Sequence, residues 1–190
     1  MTTADAAFNR GLDVFGDVIV RVPADAWEVA SPCAGWTVLD VLGHLSTSVR
    51  FGIAVLKGGQ PTWPTFDRPA ELVHGDPVDF WSALAADARA AVPHSDLSLE
   101  MDTPMGRSTV ADRLAFPAID LHVHAWDIGQ AIGIRVSVPD DIIELAHRAI
   151  DPFPVEKVRG PGGSFGPETV PPVDATPTER FIAWTGRVVV

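Results

Sequence analysis

Asp120 and His124 stand four residues apart in the segment AIDLHVHAWDIGQAIG. On a helix that spacing puts both side chains on one face, with Cβ atoms about 5–6 Å apart. A carboxylate and an imidazole so placed can grip one divalent ion, with a third ligand coming from a neighbouring helix. His44 is the best third candidate, because Leu42 and Leu45 beside it belong to an apolar stripe and it lies at the border of that stripe. Two imidazoles and one carboxylate, with an open fourth position, suit zinc in a catalytic-type arrangement and also accept nickel, iron or manganese. A histidine on an apolar helix is nevertheless more often a core residue than a ligand. Asp40 and His44 are also an i,i+4 pair that can hydrogen-bond at the surface, so spacing alone leaves both readings open.

The other candidates are weaker. His122 lies about 200° around the helix from Asp120, on another face. His74, His94 and His147 fall in or near loops or on a short solvated helix. Cys33 has no second cysteine and no histidine beside it in the chain, so structural burial outweighs a nucleophile or ligand role. Asp127 is close to Asp120 in helical angle and can accept the other ring proton of a ligand histidine. A hydrogen bond from Asp127 to a loop backbone accounts for it equally well. No GxSxG, P-loop or dinucleotide glycine pattern is present, and the GPGG of residues 160–163 follows no strand and opens no helix. With no tyrosine, phenols are excluded as acids or ligands.

The elements that must carry these residues follow from 190 positions that are 46% hydrophobic and 21% charged, enough for one full core. Fourteen Lys and Arg against 25 Asp and Glu give a net charge of −11, which argues against nucleic acid or an anionic membrane as partner. A single cysteine, no run of 18 apolar residues and an opening MTTADAAFNR without signal-peptide character together predict a cytoplasmic protein.

Phe8, Leu12, Phe15, Ile19 and Val22 form one helical stripe ended by Pro23, predicting a helix over 3–22. Thr37 with Asp40 makes a capping box, with Trp36 and Val41 in staple positions, predicting a helix over 37–57 stopped by Gly58 and Gly59. Residues 58–76 read as a long loop packed down by Trp63 and Phe66. Asp76–Pro77 starts a helix over 77–92, and an extended hairpin-like connection with its turn near Pro104 and Gly106 leads to a helix over 109–132 containing Pro117. A short helix over 140–150 precedes a Pro- and Gly-rich tract, expected to wrap the surface without regular structure until a last capped helix from Thr176 to Gly186. The expectation is an all-α four-helix bundle with long crossover loops, in a single metal-binding domain spanning 1–190 whose extension is 151–190.

The motifs SPCAGWTVLDVLGHL and AIDLHVHAWDIGQAIG together resemble the DinB-like superfamily, in the branch of the N-terminal domain of mycothiol-dependent maleylpyruvate isomerase. The run FGPETVPPVDATPTERFIAWTGR is similar to the ending of short actinobacterial members of that branch. The resemblance implies a four-helix bundle with a divalent metal at one end, carried here by His44, Asp120 and His124. The first paired position is often Glu or His in relatives, and Asp is a shorter carboxylate. The resemblance also implies zinc or nickel as the metal, mycothiol as a thiol cofactor, and a thiol-dependent transferase or isomerase acting on a small electrophile. The isomerase's second domain contributes to its active site, and 190 residues leave no room for it, which argues against maleylpyruvate isomerisation itself. The competing reading is a metal-binding or degenerate bundle with an interaction role and no catalysis. The expected partners are a small-molecule thiol and its electrophile, with a homodimer as the candidate assembly.

Overall fold

The computed structural model describes residues 2–62, 64–103, 106–159 and 164–189. Its elements are α1 (Ala4–Ile19), α2 (Val38–Leu56), α3 (Pro77–Ala91), β1 (Glu100–Thr103), β2 (Gly106–Thr109), α4 (Val110–Ala131), α5 (Asp140–Ile150), α6 (Val155–Arg159) and α7 (Pro177–Trp184). The four long helices are those expected from the sequence, and the helical bundle is the expected fold.

Their starts are fixed by side chains that satisfy otherwise orphaned backbone N–H groups. Thr37 with Asp40, Thr109 with Asp112 and Thr176 with Glu179 form reciprocal capping boxes, and the Asp76 carboxylate accepts from the Val78 and Asp79 amides. The apolar stripes then decide the packing. Phe8, Leu12, Phe15 and Ile19 of α1 are fully buried, as are Leu42 and Leu45 of α2 and Leu114, Leu121 and Ile128 of α4. α1 makes its most extensive contact with α4, α2 packs on α4 and α3, and α3 closes on α1. α5 lies on α4, and α7 on α5. By length and composition α2 could cross a membrane, but 61% of its most apolar window is buried inside this bundle.

β1 and β2 pair antiparallel from Glu100–Thr109 to Thr103–Gly106, as the alternation in the sequence suggested. Pro104, in the expected turn, lies outside the described residues, as do Trp63 and the GPGG of 160–163. Two departures from expectation have local causes. Among its described residues the tract 151–177 holds a short helix, α6, started by the Pro154 carbonyl accepting from the Lys157 and Val158 amides. The loop 58–76 is pinned by its own 3₁₀ turn, Pro69–Leu72, while Phe66 is only half-buried.

That turn sits directly on α2. A Cβ added at Gly43 would lie 1.9 Å from the Pro69 carbonyl oxygen, so only glycine lets the two backbones meet. Beside this contact the buried Asp40 carboxylate accepts from the Thr37 amide (3.0 Å), the Thr37 hydroxyl (2.9 Å), the Ala70 amide (3.1 Å) and the Arg68 guanidinium (2.7 Å). Burial works against the charge of Asp40, but Arg68 and these donors hold its pKa down to about 2. Gly43→Ala therefore forces the turn off α2 and strips Asp40 of two donors. The expected cost is about 1–3 kcal/mol or more, the range of overpacking, read as a lower midpoint in urea unfolding.

Candidate metal centre

Three segments converge at one end of the bundle. Just before α2, residues 30–37 fold back on themselves. An Ala30–Thr37 bridge closes this loop, the Trp36 carbonyl accepts from both the Ser31 amide and hydroxyl at 2.9 Å, and the Trp36 amide donates to the Cys33 carbonyl. The loop presents Cys33 and Trp36 toward α2 and α4. α2 carries His44 one turn beyond its capping box. α4 carries Asp120, His124 and Asp127 at i, i+4 and i+7, which is one stripe of a 3.6-residue helix.

The structure brings His44, Asp120 and His124 together, with one ligand atom from each lying within 4.8 Å of the others. His44 Nε2 is 3.5 Å from one Asp120 oxygen, and His124 Nε2 is 3.3 Å from the other. The two imidazoles meet edge to face with centroids 4.9 Å apart, and the Trp36 ring lies 4.9 Å from that of His44. Side-chain exposure is graded across the group, at 33% for His44, 27% for Asp120 and 6% for His124. The centre is thus open on the His44 and Asp120 side and closed behind His124.

Behind it lies a set of contacts that sequence reading only half foresaw. His124 Nδ1 is 2.8 Å from Asp127, whose side chain is completely buried. Asp127 is therefore placed as the acceptor anticipated from its helical angle, and its other partner is not a loop backbone but Arg187. The Arg187 guanidinium donates from Nε and Nη2 to the two carboxylate oxygens, both at 2.8 Å. Cys33 has no histidine beside it in the chain, and the sequence favours structural burial for it. Its Sγ instead donates to Asp127 at 3.2 Å and stands 3.8 Å from His124 Nδ1 and 3.7 Å from Arg187. Cys33, His124 and Asp127 are near enough to form a second donor group. There the guanidinium already supplies the cation, and Asp127 accepts from Arg187 and Cys33 and engages His124, so the His44 group is the better candidate of the two.

Charge is strongly organised here. Burial opposes ionisation of Asp120, but His124 and His44 hold its carboxyl well below the usual range. Burial likewise opposes a charged His124, and Asp120, Asp127 and Cys33 outweigh it and raise the imidazole well above its usual value. Asp127 is also held low despite its burial, by His124 and Arg187.

His122, placed by periodicity on another face, is indeed elsewhere. It is buried, and burial followed by the Arg10 charge pushes it from 6.5 down to about 4, which a weak interaction with the Ala7 backbone and the Asp141 charge offset only in part. The folded state thus binds this proton more weakly than the unfolded chain. Stability from the neutral ring is intact above pH 6.5 and is lost as pH falls toward 4, by about 3 kcal/mol in all. Unfolding at pH 7 and pH 4.5 should show a smaller pH loss in His122→Phe than in the wild type.

A family model described as the mycothiol maleylpyruvate isomerase N-terminal domain matches residues 8–129, a span that includes His44, Asp120, His124 and Asp127 and stops short of Arg187. The uncharacterized protein Rv0738 of Mycobacterium tuberculosis is 25% identical over 190 residues, covering 96% of this chain and 97% of its own. A second uncharacterized protein of that organism, Rv0036c, is 22% identical over 187 residues, covering 79% and 71%. The crystal structure of the mycothiol-dependent maleylpyruvate isomerase matches with a TM-score of 0.62 at 16% identity, over 76% of this chain and 70% of that one, so the two share a fold.

Proposed function

This chain belongs to the mycothiol maleylpyruvate isomerase N-terminal domain family, and from that premise we propose that it is a cytoplasmic, divalent-metal-binding transferase or isomerase that uses a small thiol resembling mycothiol against a small electrophile. The observation that carries the reading is the convergence of His44, Asp120 and His124 from two helices on one half-open point. Ligand bonds near 2.0–2.2 Å put neighbouring donors about 3.4 Å apart in a tetrahedral shell. The 3.5 Å and 3.3 Å separations run to different Asp120 oxygens, all three side chains offer a donor within 4.8 Å of the others, and the donor set suits zinc or nickel. A divalent ion held there supplies the positive charge that brings a thiol's pKa into the neutral range.

The chain's own residues do the rest. Asp127 engages His124 Nδ1 and so leaves Nε2 facing Asp120. Trp36 lies against the His44 ring and limits its rotation. The exposed edge of His44 and Asp120 is the side from which a thiol and its electrophile can approach, while the buried side behind His124 is closed to them.

The test is metal analysis of the purified protein followed by thiol conjugation to model electrophiles, with mycothiol compared against other thiols. About one metal per chain and turnover that requires both metal and thiol support the proposal. Stoichiometric metal with no turnover favours a binding module instead, and a chain that takes up no metal overturns the reading.

A further inference from the structure

We infer that Arg187, on the segment that follows α7, is a positioning residue for His124, so that the centre is completed from outside the bundle and residues 1–190 act as one metal-binding unit. The inference rests on the metal reading above. Arg187 lies 60 positions from Asp127 and beyond the matched family span, yet its side chain is only 12% exposed and its fork grips a carboxylate that is completely buried.

The segment is built to deliver that side chain. The Arg187 amide donates to the Ile182 carbonyl, and the Arg187 carbonyl accepts from the Thr169 hydroxyl at 2.5 Å. Gly186 has φ +92°, and a Cβ there would lie 2.7–2.9 Å from the Gly166 backbone, so the chain crosses itself at a point that admits only glycine. Behind the crossing, Thr185 is buried and accepts from Arg187 Nη1 at 3.3 Å.

Each contact constrains the next. Arg187 engages both Asp127 oxygens, which fixes that carboxylate in orientation. Asp127 in turn holds His124 Nδ1, leaving Nε2 as the ring's ligand atom beside Asp120. Such supporting partners typically change metal affinity by about 10–100-fold. A lysine would keep the charge but lose the two-point grip that fixes the carboxylate.

The experiment measures zinc affinity of the full chain by competition with a chelator, alongside thermal unfolding of the metal-free protein. Arg187→Ala should bind zinc about 10–100-fold more weakly while remaining folded at the assay temperature, and Arg187→Lys should recover only part of the loss. Asp127→Asn should weaken binding similarly, and Asp127→Asn/Arg187→Ala should be no weaker than Asp127→Asn alone. If Arg187→Ala does not fold, Arg187→Lys carries the comparison. Wild-type affinity in both Arg187 variants, or additive losses in the double variant, overturns the inference while leaving the metal reading standing. A wild-type chain that binds no zinc or nickel overturns both.

Discussion

His124→Ala is expected to abolish stoichiometric metal binding while leaving a folded bundle. Among the described residues its Nε2 is one of three converging donors, and without it His44 and Asp120 would hold an ion from two points on one side. The expected loss in affinity exceeds the 100-fold upper range for removal of a supporting hydrogen-bond partner. Metal content after dialysis, with far-ultraviolet circular dichroism on the same sample, measures both halves of the expectation. The fold should survive because the helices around the centre are held by apolar stripes and caps that His124 does not join. His122→Phe is the contrast: two residues away but facing Arg10 and Asp141, it should keep full metal occupancy. Full occupancy in His124→Ala would remove the site from consideration.

Asp127→Ala should be the most destabilising of the single changes named. It leaves the Arg187 guanidinium largely buried without its counter-charge, and removal of one partner from such a pair costs about 3–5 kcal/mol. Cys33 loses its acceptor at the same time. Denaturant unfolding of the metal-free protein measures the loss. Asp127→Ala/Arg187→Ala should lose less than the two single variants summed, because the second change removes the orphaned charge. Strict additivity would mean that the pair is not coupled.

The parts legible in the sequence were those whose partners lie within a turn or two. The capping boxes at Thr37, Thr109 and Thr176 are contacts over three residues, so residue type and spacing suffice to find them. Asp120 with His124, and Asp127 one turn further along, are readable for the same reason. His44 reaches them only once α2 lies on α4, and there the border of an apolar stripe and the family resemblance carried the reading. Cys33 and Arg187 gave no comparable signal. Cys33 meets His124 and Asp127 across 91 and 94 positions, and neither periodicity nor capping chemistry registers a contact at that distance. Arg187 follows a helix stop, where a basic residue is ordinarily solvated. Asp40 reads from the sequence as a helix cap and an i,i+4 neighbour of His44, while its bonds to Arg68 and Ala70 depend on a loop whose course no local pattern sets.

The clasp of Arg187 on Asp127 and Cys33 also bears on the order in which the chain assembles. It closes loops of 60 and 154 residues, whereas the caps and the Asp120–His124 pair close loops of three or four. Loop-closure entropy rises with length, so the caps form before the clasp. Interactions made after the rate-limiting barrier leave the folding rate nearly unchanged and set the rate of escape from the native state. If the clasp closes after that barrier, Arg187→Lys speeds unfolding and leaves the folding rate unchanged, which stopped-flow kinetics measures.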